Sequence, residues 1–436
     1  MKTLFDAQQR VADIFLDAHL AGKNTLDSSD MGTGKTVVAG WLSRELLEFR
    51  HIKHVAVICP KAALEHWRRE LAEWDIDPLF VLNPEKIRTG NTEWLDKFGK
   101  KNMNWQLPEG TLVICDEAHF AQGMFTQNAQ LVISLVYQGH KVHMMSATAA
   151  EDPTEMRALG FALGLHNLTR TEGSKLSFYR WMEANGCSPN QWNGWEFTNK
   201  RKLPFLHANM YESTKPTCAR ITVEDMPEAF RGNRIIIEPV KFRHLNKINK
   251  IYEDLDITPE IVSEYIENGT VEDSEWVLVN LGRARQLAEA LKMPEFADET
   301  KDLIKQGFSV VNFVNFDESR ETLVASLKCR AIYGGDRNRQ ETIDRFMADK
   351  DRSLVVNASA GGASINLHDT HGSHPRVSLI SPSFDAKVFK QVTGRIYRNG
   401  AKSDAVQRVL IASGTVEEAV MDAVQSKLEN LKLLHG

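Results

Sequence analysis

The sequence predicts an α/β protein with two domains, each a parallel sheet flanked by helices. Three observations predict it. Short apolar runs alternate with helical patterns in the first part of the chain, and the same alternation returns after about residue 305. The length of 436 residues suits two or three domains at ~100–200 residues each. Strand–helix–strand alternation is the signature of parallel strands, because each strand needs a crossover to reach the next.

The elements follow in order. TVVAGWLSRELLEF (36–49) reads as a helix. HVAVICP (54–60), TLVICDEAH (111–119) and KVHMMSAT (141–148) are continuous apolar runs of buried-strand type. KAALEHWRRELAEW (61–74) between the first two is amphipathic at helical spacing. The stretch from about 150 to 300 is richer in polar residues and helical patterns, and Pro153, Pro189, Pro204, Pro216, Pro227 and Pro239 punctuate it. It reads as a helical extension of the first domain, a connector and the helical start of the second. The expected division is 1–230 and 231–436, with the extension beginning near 150. Beyond 305, FSVVNFVNF, CRAIYGG, RSLVVNAS, RVSLISPS and AVQRVLIAS read as strands, and DRNRQETIDRFMAD and AKVFKQVTGRIYR as helices.

Composition narrows the class. With 42% hydrophobic and 25% charged residues the chain is neither collagen-like, mucin-like nor disordered. A formal charge of −5 argues against a dedicated basic nucleic-acid module but leaves room for a local basic groove. Cys59, Cys115, Cys187, Cys218 and Cys329 form no CxxC pair, so neither a zinc site nor a disulfide framework is expected. No apolar run is long enough to span a bilayer, and MKTLFDAQQRVADIF lacks a signal-peptide core. A cytoplasmic location without membrane contact is the expectation.

SSDMGTGKT (28–36) carries most of the chemistry. It ends a Walker A pattern, with Ser29 in the first-glycine position. Gly32, Thr33 and Gly34 form a turn whose glycines let several backbone N–H groups face one anion. Lys35 offers a charge to the β- and γ-phosphates and Thr36 a hydroxyl to Mg²⁺. The following helix presents its N-terminus to the same anion. LVICDEAH (112–119) is an apolar strand ending in two acids. Asp116 there would hold Mg²⁺ through water, and Glu117 would polarise the attacking water. Each motif alone also fits an ordinary turn or strand end; together in one chain they point to nucleotide hydrolysis. Ser146 and Thr148 in SAT can hydrogen-bond to the DEAH loop that includes His119. QVTGRIYRNG (391–400) places Gln391, Arg395 and Arg398 at i, i+4 and i+7, one face of an expected helix. Paired arginines on a rigid element suit charge stabilisation of a transferring γ-phosphoryl group, although a solvated basic helix reads the same way.

The order DMGTGKT, DEAH, SAT, QxxGRxxRxG resembles that of superfamily 2 helicases and translocases, and finer detail is similar to the Swi/Snf-type ATPase branch. Gln8 is placed like that family's adenine-reading glutamine. VAVICPKAALEHWRREL resembles motif Ia and VLNPEK motif Ib. Arg339, Ile343 and Phe346 match a G…R…I..F pattern, NASAGGASINL resembles motif V, and GTVEEAV resembles the stretch closing the second domain. SFYRWMEANGC and ARITVEDMPEAF also resemble family segments, so nearly the whole chain is covered. Departures are Ser29, SATA where Gly-Thr-Pro is usual, Ser364 for a glycine and Ala401 for a glutamine. They favour a compact phage or bacterial relative over a chromatin enzyme.

The resemblance implies two tandem RecA-like domains with an ATP cleft between them. It implies Lys35, Thr36, Asp116 and Glu117 from the first domain and Arg395 and Arg398 from the second, with Gln8 and Gln391 as nucleotide-binding residues. It also implies ATP and Mg²⁺ as cofactors and DNA (duplex, forked or branched) rather than RNA as partner. Candidate nucleic-acid contacts are Lys61, Asn83, Lys86, Arg337 and Asn366, mainly to phosphates. Trp192 and Trp195 could stack on bases or anchor a loop. The leading reading is an ATP-driven DNA translocase. The alternatives are a strand-separating DNA or RNA helicase, and the motor or clamp subunit of a larger nuclease or repair complex, targeted by a protein partner.

Overall fold

The apolar runs become the central strands of two six-stranded sheets, every strand pair within them parallel. The computed structural model describes residues 2–90, 92–98, 102–168, 177–190, 194–268, 275–361 and 365–435. It divides into two units, one of residues 1–226 with 429–436 and one of 227–428. The last eight residues thus group with the first unit, whereas a single boundary near 230 assigns them to the second. Nothing local in the sequence marks that return.

The first unit contains strands β1 (Thr25–Asp27), β2 (His54–Ile58), β3 (Val81–Leu82), β4 (Leu95–Phe98), β5 (Asn102–Trp105), β6 (Thr111–Asp116), β7 (Lys141–Met145), β8 (Cys187–Pro189), β9 (Trp195–Phe197) and β10 (Cys218–Ala219). Its sheet order is β10-β1-β7-β6-β2-β3. β6 is buried along its whole length, as its unbroken apolar pattern requires. Helices α1 (Asp6–Leu20), α2 (Lys35–Glu48), α3 (Leu64–Glu73), α4 (Pro84–Arg88) and α5 (Gln127–Tyr137) join or flank these strands. Val11, Phe15 and Ala18 on α1 and Trp67 and Leu71 on α3 recur at helical spacing and are buried. The extension adds α6 (Arg157–Ala162), α7 (Phe178–Ala184) and α8 (Leu203–Tyr211). Within the SPNQWNGWEF stretch β8 and β9 pair antiparallel, Pro189 opposite Trp195. Trp195 packs 5.7 Å from Tyr179, while Trp192 lies outside the described residues, as does Ser364.

The second unit contains helices α9 (Leu245–Asp254), α10 (Pro259–Asn268), α11 (Glu275–Lys305), α12 (Asp317–Leu327), α13 (Arg339–Met347), α14 (Ala358–Gly361) and α15 (Ala386–Thr393). It also holds β11 (Asn233–Val240), β12 (Ser309–Val314), β13 (Arg330–Ile332), β14 (Ser353–Asn357), β15 (Arg376–Ile380) and β16 (Ala405–Ala412), in the order β11-β16-β15-β12-β14-β13. Helix α16 (Glu417–His435) follows. Its first residue Glu417 forms a buried 2.6 Å ion pair with Lys292 and accepts a bond from the Ala412 N–H.

One helix is shorter than the sequence predicts. AKVFKQVTGRIYR forms α15 only to Thr393, so Gln391 is helical but Arg395 and Arg398 are not. Gly394 caps the helix. The chain then bonds across to the 365–367 segment, where Leu367 N–H donates to the Arg395 carbonyl at 2.9 Å. The shared helical face expected from the i, i+4, i+7 spacing is therefore absent. Among the described residues no helix is long and apolar enough to cross a membrane.

Candidate nucleotide site

The loop from Ser28 to Gly34 joins β1 to α2. Gly32 and Gly34 have φ of +80° and +94°, a region that L-residues with a Cβ rarely adopt. A Cβ on Gly34 would also lie 2.3 Å from Gln8 Nε2. Gly34 is the N-cap of α2, so the 14-residue helix opens its N–H groups toward the loop. Ser29 needs no glycine, because its φ is not positive. Its N–H donates to Asp27 Oδ1 at 2.9 Å and its Oγ accepts from Ile221 N–H at 2.9 Å. The end of β10 and the segment after it fasten the loop further: Ser28 N–H donates to the Ala219 carbonyl at 3.0 Å and Asp30 N–H to the Ile221 carbonyl at 2.8 Å. Arg220 forms a 2.8 Å ion pair with Asp30.

Lys35 Nζ donates to the carbonyls of Ser29 and Asp30 at 2.8 and 3.1 Å. Thr33 Oγ1 donates to the Asp30 carbonyl at 2.8 Å. Gln8 is buried, and both ends of its amide are engaged: Nε2 donates to the Thr33 carbonyl at 2.7 Å and Oε1 accepts from Phe5 N–H at 3.1 Å. Asp27, fully buried beneath the loop, has no hydrogen-bond partner for Oδ2 among the described residues. Burial raises its pKa, opposed by the Lys35 charge.

Asp116 ends β6 at the carboxyl edge of the same sheet, where ligands of open α/β sheets bind. Trp67 Nε1–H donates to Asp116 Oδ2 at 2.8 Å, and Glu117 N–H donates to Oδ1 at 2.9 Å. Burial pushes the Asp116 carboxyl up to about 6, Glu117 adds to the rise, and the Trp67 bond and Lys35 oppose it. Glu117 holds φ of +52°, an unusual value for a glutamate and a form of backbone strain found at functional sites. His119 Nδ1 lies 3.2 Å from Glu117 Oε2 and 3.2 Å from Ser146 Oγ. Ser146 Oγ accepts from Thr148 N–H at 3.2 Å. The DEAH and SAT segments are thus joined by short polar contacts.

The residues that would hold a metal here are Thr36, half-buried on the first turn of α2, and Asp116 at the end of β6. Among the described residues no group of three or more His, Cys, Asp or Glu side chains could hold a metal by itself. Few protein ligands, all oxygen, fit Mg²⁺, which keeps waters and takes phosphate oxygens.

In the second unit Gln391 and Arg395 are buried. Arg395 Nη1 donates to the Ile365 carbonyl at 3.3 Å. Arg398 is half-buried beside His368, whose pKa falls to about 4 through burial first and the Arg398 charge second.

Lys61 is exposed at the turn that opens α3, and Lys86 is exposed on α4. Asn83 precedes α4, its Nδ2 donating to Glu85 Oε2 at 2.5 Å. β2 pairs with both β3 and β6 in register (Ile58 with Leu82 and with Cys115), so these loops leave the same carboxyl edge as Asp116. Arg337 and Asn366 are exposed and lie beyond β13 and β14, adjacent strands paired at Ile332 and Val356. Sequence reasoning missed Trp67 and Arg220. The one signal for Trp67 is its place on the apolar face of KAALEHWRRELAEW.

No protein-family model matches the chain. It is 27% identical over 438 aligned residues to the putative ATP-dependent RNA helicase of Acanthamoeba polyphaga mimivirus, covering 94% of this chain and 79% of that protein. A 92-residue stretch, 21% of this chain and 10% of the relative, is 28% identical to the Saccharomyces cerevisiae DNA repair and recombination protein RAD54. Among solved structures, S. cerevisiae Dbp5 bound to RNA and ADP–BeF3 superposes with TM-score 0.53 at 12% identity, covering 98% of this chain and 88% of that one. The Sulfolobus solfataricus SWI2/SNF2 ATPase core in complex with dsDNA gives TM-score 0.40 at 16% identity, covering 99% and 97%. Fold and relatives point to one class: the chain has two RecA-like domains, and it is similar to ATP-dependent helicases of superfamily 2. Within that class it is similar to Swi/Snf-type proteins over the stretch shared with RAD54, and its relatives support an ATP-dependent nucleic-acid motor.

Proposed function

We propose that the chain is a DNA translocase that hydrolyses ATP with Mg²⁺ to move along duplex or branched DNA. The observation that carries this reading is the convergence at one sheet edge of the glycine turn with Lys35, the Asp116–Glu117 pair and the exposed Lys61 and Lys86 loops. Lys35 leaves the Ser29 and Asp30 carbonyls to bind the β- and γ-phosphates, and backbone N–H groups at the Gly32–Gly34 turn and the start of α2 take up the remaining phosphate oxygens. Thr36 and Asp116 would hold Mg²⁺, which would supply positive charge to the β- and γ-phosphates. Glu117 orients and polarises the attacking water, and His119 passes the state of that carboxylate to Ser146 and Thr148. Gln8 and Gln391 contact nucleotide, and Arg395 and Arg398 stabilise charge on the transferring phosphoryl group. Lys61, Asn83, Lys86, Arg337 and Asn366 contact the DNA backbone, giving weak sequence preference.

Translocation is tested by displacement of a third strand annealed to duplex DNA. ATP-dependent release by the wild-type protein, absent in Lys35→Ala, is expected. Release of one strand from a simple duplex, with the triplex intact, would replace translocation by unwinding. That second reading draws on the mimivirus relative, which is named as an RNA helicase. In that case RNA duplexes would be the better substrates.

A further inference from the structure

We propose that Trp67 is the positioning residue that holds the Asp116 carboxylate in its metal-binding orientation. The inference rests on the reading of Asp116 as a Mg²⁺ site.

Trp67 is fully buried on α3. A buried indole N–H must find an acceptor. Here the acceptor is the carboxylate that ends β6, at 2.8 Å, 49 residues away in sequence. The other carboxylate oxygen takes the Glu117 N–H at 2.9 Å. One donor on each oxygen fixes both side-chain torsions of Asp116. An ionised carboxylate has about four acceptor sites, so two remain for a metal or its waters.

The donor is itself immobilised. Trp74, the residue that caps the C-terminal end of α3 and also buried, lies so close to α2 that a Cβ on Gly40 would come within 2.3 Å of its ring. Its indole N–H donates to Glu70 Oε1 at 3.0 Å, and Glu70 in turn accepts from Lys2 Nζ at 2.9 Å. Helix α3 is thereby wedged against the helix that begins with Lys35 and Thr36, while its Trp67 face grips Asp116. One helix sets the spacing between the two halves of the metal site. The same helix is opened by the turn that carries Lys61, so a phosphate bound there lies on the element that orients Asp116.

A tryptophan that merely fills the core would affect stability alone. The test compares ADP affinity in EDTA with ADP affinity in saturating Mg²⁺, by titration calorimetry, for wild type, Trp67→Phe and Trp67→His. The phenylalanine keeps most of the ring volume and removes the donor, whereas the histidine restores a ring N–H. In Trp67→Phe the metal-free affinity should stay within about twofold of wild type, while the gain on adding Mg²⁺ falls by about tenfold or more, the usual effect of losing a partner of a metal ligand. Trp67→His should recover part of the gain. In an Asp116→Asn background, Trp67→Phe should cause no further loss. An unchanged Mg²⁺-dependent gain in Trp67→Phe, even with a lowered melting temperature, would overturn the proposal. So would an equal fall with and without metal. A wild-type protein with no Mg²⁺-dependent gain would overturn the nucleotide-site reading itself, and this inference with it.

Discussion

Gly40→Ala should destabilise the first unit, although alanine is the better helix former. Gly40 lies inside α2, and a Cβ there would meet Trp74 Cδ1 at 2.3 Å and Nε1 at 2.4 Å. Trp74 is 1% exposed and tied to Glu70, so its ring has nowhere to swing. Overpacking costs about 1–3 kcal/mol. Tearing the indole from a carboxylate costs roughly 1.5–3 kcal/mol more. Alanine returns about 1 kcal/mol of helix propensity. The net is a loss of about 1.5–5 kcal/mol, or roughly 3–20 °C at ~2–4 °C per kcal/mol for a domain of this size. Gly282→Ala is the control. It also sits inside a helix, α11, but its added Cβ would meet nothing within 4 Å among the described residues. There the propensity term acts alone, and the second unit should gain up to ~1 kcal/mol. Differential scanning calorimetry of the two variants gives the answer. A Gly40→Ala protein that melts at or above wild type would refute the claim that α3 is wedged rigidly on α2.

Further outcomes follow from buried charge. His143 and His166 have pKa values lowered to about 3 and about 4, and His19 is lowered as well, all by burial first. Below about pH 6.5 the unfolded chain binds protons that the folded histidines refuse. Stability should therefore fall between pH 6.5 and 4, at about 1.4 kcal/mol per pH unit for each such histidine. Urea melts across that range should show His143→Gln lessening the slope by about one proton. Asp27 is shifted the opposite way, so its burial removes stability as pH rises above the usual carboxylate range and continues to cost at neutral pH. Asp27→Asn keeps the acceptor for the Ser29 N–H and should raise the melting temperature at pH 7 but not near pH 3. Arg220→Ala should weaken ADP binding by loosening Asp30 in the phosphate loop, read as a rise in dissociation constant, with Arg220→Lys intermediate.

Much of the fold was legible because buried parallel strands write themselves as unbroken apolar runs. HVAVI, TLVICD and KVHMM stand out from their surroundings, and all three are central or next to central in the first sheet. The short strands β1, β3 and β10 have two or three residues each, too few to establish a period. β10 nevertheless matters, since the residues after it fasten the phosphate loop and give Ser29 its partner. The glycines of that loop were readable because only glycine tolerates the φ values of residues 32 and 34. The helix end at Thr393 was missed because AKVFKQVTGRIYR keeps a helical pattern beyond it. The bonds that replace the helical ones come from residues 365–367, far away in sequence. Trp67 was hidden for the same reason: its periodicity shows a buried ring but cannot show which acceptor its N–H meets.

The central claim, an ATP-driven motor on DNA, is tested most directly by the steady-state ATPase rate with no nucleic acid, single-stranded DNA, duplex DNA, forked DNA and RNA, with Lys35→Ala as the blank. The account predicts strong stimulation by duplex or forked DNA and little by RNA, all of it lost in the variant. A Lys35-dependent rate indifferent to every nucleic acid would contradict it.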